Sequence, residues 1–472
     1  MRGLSYRYMN SLAREHESSF WWYDLDQRDR QTVRAPLGGD VDCDVVVVGA
    51  GYTGLWTAHS LLSLDPTMRV VVLDQWVAGA GASSRNGGWC SGLLPLGWDD
   101  LARRYGREAT VAFQREADRT VDEVLRVAAD EGIDAGIAKG GYLCTAANSV
   151  QLASLRQQLD EARRWGRSED DLRMLDATEA RSMIGAARVE GGLFTPHCAA
   201  VQPAKLVRGL ASAVERRGGV LHDHTRVLAI EPGRVVAEHG TVRAPVVVRA
   251  TEGYTAALPG QRRRLVPMYT SMIATEPLPA SFWASVGWSQ RATFNDARRV
   301  IFYAQRTADD RIAIGRPGPR SVRFGSALGV VGDEASIEVG LRATLTEQFP
   351  DLAEVRIDHR WGGVVGVPRD WTPSVTFDRS TGLATAGGYT GDGVALTNLA
   401  GRTVADLVLG RDTDLVRLPW TQHRGRSWEP EPLRFVGATA GSRLARAADE
   451  RELRTDRPAR LLGALAGRLT GH

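Results

Sequence analysis

The residues best placed for chemistry are three glycines and a carboxylate. Gly49, Gly51 and Gly54 form G-x-G-x-x-G directly after the apolar run Val45 to Val48 and directly before a helical pattern that opens with Tyr52 and Thr53. Glycine at these positions permits a tight turn. It also lets a pyrophosphate approach the start of the helix, where unpaired N–H groups and the helix dipole favour an anion. Asp74 ends the next apolar run, at the spacing where a carboxylate accepts hydrogen bonds from a ribose hydroxyl. Strand, glycine turn, helix and acid together predict a dinucleotide site.

A second glycine-rich loop, GAGASSRNGGW, runs from Gly79 to Trp89. Its plainer reading is a surface loop of small residues. A nicotinamide dinucleotide rarely needs such a loop after the second strand. A flavin dinucleotide bound in an extended form does, because its pyrophosphate and ring must cross the sheet edge. Ser83, Ser84, Arg85 and Asn86 are able to donate to phosphate, and Gly87 and Gly88 let backbone pass close to the ring.

The elements that must position these residues begin with a strand-helix-strand unit. Val45 to Val48 is short and apolar enough for a buried parallel strand, Leu55, Ala58, Leu61 and Leu62 recur at helical spacing, and Val70 to Leu73 is the second strand. Helices are predicted from Asp99 to about Glu131 and from Gln151 to Trp165, and a helix feeding a strand around Gly218 and Gly219. From Arg264 to Arg316 short β-like runs indicate an antiparallel sheet. The segment after Trp361 is glycine-rich and ends in a helical pattern, and the Arg- and Ala-rich tail reads as helical. The expected fold is α/β plus antiparallel β. A discontinuous Rossmann-like FAD-binding domain takes residues 40–95, 196–258 and 362–412. A mainly antiparallel substrate domain takes 96–195 and 259–361, and a helical extension takes 413–472.

With these motifs in place, the chain resembles the FAD-dependent D-amino-acid oxidase superfamily, which includes glycine and sarcosine oxidases. Within it, the γ-glutamylputrescine oxidase-like amine oxidases are most similar. DVVVVGAGYTGL, GAGASSRNGG, VQPAKLVRGLA, VVVRATEGYT, RWGG and AGGYTGDGVALTNLAGRTVADL carry the likeness, over about residues 18 to 412. The resemblance implies that Val227 meets the adenine side through its backbone and that Ala250, Thr251 and Gly253 line the pyrophosphate region. It implies that Gly388, Gly391, Gly393 and Val394 pack against the isoalloxazine, with the positive end of the following helix beside the reduced ring. Some relatives tether the flavin through a His or a Cys. The matching segments here, Ser83-Ser84-Arg85 and Gly362-Gly363-Val364-Val365, have neither, and nearby Cys90 reads as a small buried thiol. Non-covalent FAD is therefore expected.

Amino-acid oxidases of this superfamily hold the substrate carboxylate with an Arg in a W-x-G-L-R-P segment. Here WGGVVG places Val365 at that position. Without a bidentate partner an α-carboxylate is poorly held, so an amine on an alkyl chain is the better fit. Trp89, Tyr254, Tyr303, Trp361 and Tyr389 are candidates for an aromatic, uncharged substrate lining, each with core packing as the competing role. Arg316 is a candidate for a distal carboxylate or carbonyl, and His359 reads as structural rather than as a base.

Composition sets outer limits. The net charge of +3 is spread along the chain, with no basic tail, which argues against nucleic acid as a partner. Cys43, Cys90, Cys144 and Cys198 are scattered and form no CxxC, so no metal site or disulfide framework is expected, and a reducing, cytoplasmic location fits. The N-terminal stretch has no apolar run of leader length, and no segment reads as a membrane span. Three functions remain: an amine oxidase using O2, a dehydrogenase passing electrons to a quinone or carrier, and a flavoprotein with a binding role. A monooxygenase is disfavoured because no second G-x-G-x-x-G serves NADPH. The patterns fix neither the amine nor the oligomeric state.

Overall fold

The computed structural model describes residues 19–329 and 334–470, so most of the N-terminal stretch read for a leader lies outside the described residues. Four consecutive valines, Val45–Val48 (β1), are all buried. Such a run cannot sit at a one-sided sheet, because alternate side chains would face water. β1 therefore lies inside a six-stranded sheet. It pairs in parallel with Val70–Leu73 on one side and Val246–Arg249 on the other. Gly51 caps Tyr52–Leu64 (α1), which returns the chain to Val70–Leu73 (β2). The late helix Gly393–Leu409 (α2) packs against α1, where a Cβ on Gly401 would lie 2.6 Å from the backbone of Trp56. Close helix contact at this point requires glycine.

The second sheet has eight strands. Its neighbours are antiparallel apart from Thr293–Asp296 beside Tyr142–Ala146. This agrees with the predicted mainly antiparallel unit. A short ribbon, Trp89–Ser91 (β3) against Cys198–Ala200, carries the chain away from the second glycine loop. Tyr303–Arg306 (β4) lies mid-sheet and Ile357–Val367 (β5) at its edge. β5 pairs with Val266–Thr275 from Val367 back to Ile357. The strand runs on past residue 361: Gly362 and Gly363 keep the ladder, opposite Ser271 and Thr270, and it stays in this sheet to Val367.

One element was not foreseen. Ser19 caps a single helical turn, Phe20–Tyr23, whose Phe20, Trp21 and Trp22 are buried with Trp76, Met272 and Trp361. The tail forms two helices, Leu433–Thr455 and Arg460–Thr470, and Arg299 ties the first to the sheet through Asp449 (3.1 Å) and Glu452 (2.6 Å). Among the described residues no helix is long and apolar enough to cross a membrane.

Candidate active site

Both glycine loops open onto one cleft of about 500 Å³. Gly49, Gly51, Tyr52 and Thr53 line it from the first loop, Asp74 from the end of β2, and Ser83 and Asn86 from the second loop. Val227, Ala250, Thr251, Gly253 and Tyr254 form a further part of the wall, with Val365, Tyr389, Gly391, Gly393 and Val394. These residues come from seven separate stretches of sequence, and the fold brings them together.

The local geometry suits a dinucleotide. Gly49 has φ +108, a conformation that L side chains rarely adopt, and a Cβ there would sit 2.5 Å from the Ala250 carbonyl oxygen. The N-terminal ends of two helices, α1 and α2, face the same cleft, with side-chain-free Gly51 and Gly393 at their starts. Two such ends with no Cβ in the way match a pyrophosphate and the polar edge of a flavin. Asp74 Oδ2 accepts from the Ala50 N–H (2.8 Å) and Oδ1 from the Trp76 N–H (2.9 Å). Burial pushes its carboxyl up to about 6 against the pull of those two bonds. Burial alone pushes Asp392, at the N-cap of α2, up to about 7. Arg226 is the one cation among the described lining residues.

Other predicted residues lie behind the lining. Gly54 packs inside the first turn against the Gly49 carbonyl. Ser84 and Arg85, within the second loop itself, are buried. The Ser84 carbonyl accepts from Ser19 Oγ (3.0 Å) and the Arg85 carbonyl from Trp361 Nε1 (3.1 Å). Gly87 and Gly88 make room for the Tyr303 ring and the Gln305 amide on β4, so their lack of a side chain serves packing between loop and sheet. The Gly388 N–H donates to Glu252 Oε2 at 3.2 Å.

Of the five aromatic candidates, Tyr254 and Tyr389 line the cleft. Tyr389 Oη accepts from Thr53 Oγ1 at 3.2 Å. Trp89, Tyr303 and Trp361 sit on the sheet side of the second loop, with the Trp89 and Tyr303 rings edge-on at 6.4 Å. Arg316 Nη1 donates to Thr344 Oγ1 (2.8 Å) on the helix Glu334–Gln348, away from the cleft lining. His359 packs at a tilt against Phe20 (5.3 Å) and Tyr23 (4.8 Å).

Two contributors escaped the sequence reading. Trp21 Nε1 donates to the Asn86 carbonyl at 2.8 Å and so pins the second loop from the N-terminal segment. The aromatic density of SFWWYD was the available signal. Glu252 lines the cleft, and no spacing rule pointed to it. Cys90 is fully buried and its thiol is pushed well up by that burial, so it is not a reactive thiolate beside the loop. Among the described residues Asp118, Asp171 and His197 bring possible metal-ligand atoms within 4.8 Å of one another. Arg167 pairs with Asp118 and lies 3.7 Å from Asp171, so a guanidinium already serves those acids.

Residues 44–407 match the family of FAD dependent oxidoreductases. The chain belongs to that family: it is an FAD-dependent flavoenzyme. It is 30% identical over 405 residues to gamma-glutamylputrescine oxidoreductase of Escherichia coli, covering 84% of this chain and 90% of that protein. It is 29% identical over 401 residues to the probable oxidoreductase OrdL of Rhizobium meliloti, covering 84% and 89%. Its fold matches crystalline glycine oxidase from Geobacillus kaustophilus, with TM-score 0.67, 22% identity and coverage of 82% and 100%.

Proposed function

We propose that the protein oxidises a primary or secondary amine to an imine, which water then hydrolyses. FAD supplies the acceptor that takes a hydride from the amine-bearing carbon, and O2 reoxidises it with release of H2O2. The observation that carries this reading is the charge of the cleft. Val365 presents an apolar side chain on β5, and the one lining cation, Arg226, sits beside Val227, on the stretch expected to meet adenine. A substrate carboxylate would have no bidentate partner there, whereas a neutral amine needs none. The roles of the protein are then to position the carbon and exclude water, through Tyr254, Tyr389 and Val365, with Trp89, Tyr303 and Trp361 behind the second loop. The likeness to a relative named for gamma-glutamylputrescine, itself an amine, supports the same substrate class. We further propose the three-part domain division given above, with its boundary moved to Val367, and a cytoplasmic location.

The test is anaerobic mixing of the yellow protein with a panel of amines and amino acids while flavin absorbance is followed. Alkyl amines are expected to bleach it faster than glycine or D-alanine, and admitting air should restore the colour with uptake of O2. Bleaching led by glycine or D-alanine would overturn the substrate class. Bleaching by amines without O2 uptake would make the enzyme a dehydrogenase.

A further inference from the structure

Glu252 is built at some cost to stability. It has φ +40, a left-handed backbone conformation that a side chain other than glycine rarely adopts. Its carboxyl reaches into a cradle of backbone, accepting from the Gly388 N–H at 3.2 Å, with the N–H groups of Tyr389 and Gly366 also against it. Two glycines make room for it. A Cβ on Gly366 would lie 2.7 Å from Oε2, and one on Gly387 would lie 3.3 Å from it. Among the described residues no Arg, Lys or His pairs with this carboxyl. The residue lines the FAD cleft, and the preceding Ala250–Thr251 backbone abuts Gly49 in the first glycine loop.

Strain, burial and an unpaired acid in one residue of a ligand cleft point from structure to function. A purely structural latch would not call for an ionisable group, because an amide accepts the same N–H bonds. We propose that Glu252 is a proton-linked contact of the cofactor site: its carboxyl takes up one proton from solvent as the dianionic dinucleotide enters and releases it as the dinucleotide leaves.

The direction follows from linkage. In the open cleft, burial raises this carboxyl to about 7, opposed by the three N–H groups. FAD removes the remaining water and brings two phosphate charges into the same cleft, so the bound-state value is higher still. Affinity is then fully present below about pH 7 and is lost as pH rises between the free and bound values, by up to about tenfold per pH unit. The surroundings leave little else to titrate. β5 brings the uncharged Val364, Val365 and Gly366 against this turn, and the Tyr389 phenol, pushed far up by burial, stays protonated. Asp74 lines the wider cleft and Asp392 sits at the N-cap of α2, and both are common to both proteins in the comparison below.

The experiment measures FAD dissociation from the holoenzyme by recovery of flavin fluorescence on dilution, from about pH 6 to 9, for the wild type and Glu252→Gln. The wild-type Kd is expected to climb above pH 7 with a slope steeper than that of the variant by up to one logarithm per pH unit. At pH 6 the two should agree within about threefold. Titration calorimetry at pH 8 in buffers of different ionisation enthalpy should show greater proton uptake per FAD for the wild type than for the variant. Parallel pH profiles, or equal proton uptake, would overturn the proposal, as would a variant that loses FAD more than tenfold at pH 6. No amine is present, so the outcome is independent of the substrate reading.

Discussion

The backbone N–H of Tyr52 donates to Ser83 Oγ at 2.9 Å, which joins the first turn of α1 to the second glycine loop. The two loops are thus one device: the second supplies a hydroxyl at the N-terminal end of α1, where the proposed phosphate site lies. Ser83→Ala should weaken FAD binding by about 1 kcal/mol, roughly fivefold, by removing this bond and a phosphate donor. Gly51→Val should do more harm, because a Cβ there would lie 2.9 Å from Ser83 Oγ and crowd the phosphate path. Flavin fluorescence titration checks both.

Asp74 is the second target. Its two oxygens hold the Ala50 and Trp76 N–H groups, and its lining position leaves it facing the cleft. Asp74→Ala should cost about 1–3 kcal/mol of FAD affinity, since buried donors lose their acceptor. Flavin content unchanged after extensive dilution would remove Asp74 from the site.

The protein should purify yellow, and acid precipitation should leave the colour in the supernatant. Neither the segment 83–85 nor the segment 362–365 carries a His or Cys tether, and burial keeps the Cys90 thiol protonated. Colour in the pellet would contradict this.

Val365→Arg places a cation without a partner on β5 at the cleft wall. It should slow flavin reduction by amines at least tenfold, by repelling the protonated substrate and because the charge is desolvated. Weak reduction by a carboxylate-bearing amine is the expected gain. Stopped-flow rates for glycine, sarcosine, D-alanine and an alkyl diamine in both proteins make the comparison.

Acid stability should depend on Glu131. Burial raises its carboxyl, but hydrogen bonds from His59, Arg217 and Arg216 pull it down from its ordinary 4.5 to about 2. The group contributes stability above its unfolded value, and that contribution is lost as pH falls from about 4.5 to about 2. Glu131→Gln should lower the melting temperature near pH 7 and flatten its decline on acidification. Calorimetric scans across that range give the answer.

Much of the candidate cleft was legible because it is local. Gly49, Gly51 and Asp74 line the cleft at fixed spacings within one strand-helix-strand unit, and the valine run of β1 announces its own burial. The second loop was half legible. A small residue signals a close neighbour without saying whether that neighbour is ligand or protein. Ser83 and Asn86 line the cleft, whereas Gly87 and Gly88 accommodate β4. Glu252 was not legible at all. Its environment is made by Gly366, Gly387 and Gly388, more than a hundred residues downstream, so nothing near it in the chain marks the carboxyl as buried.

The N-terminal turn Phe20–Tyr23 carries a consequence for biosynthesis. Trp21 grips the Asn86 carbonyl and meets the Trp361 ring edge-on at 5.9 Å. Trp361 leaves the ribosome long after Trp21, by on the order of tens of seconds at ~5–20 residues per second. Through that interval a run of four aromatic residues has no finished place to dock. The nascent chain thus has a hydrophobic segment that only later synthesis can cover, and a chaperone that shelters it should raise the yield of flavin-loaded protein.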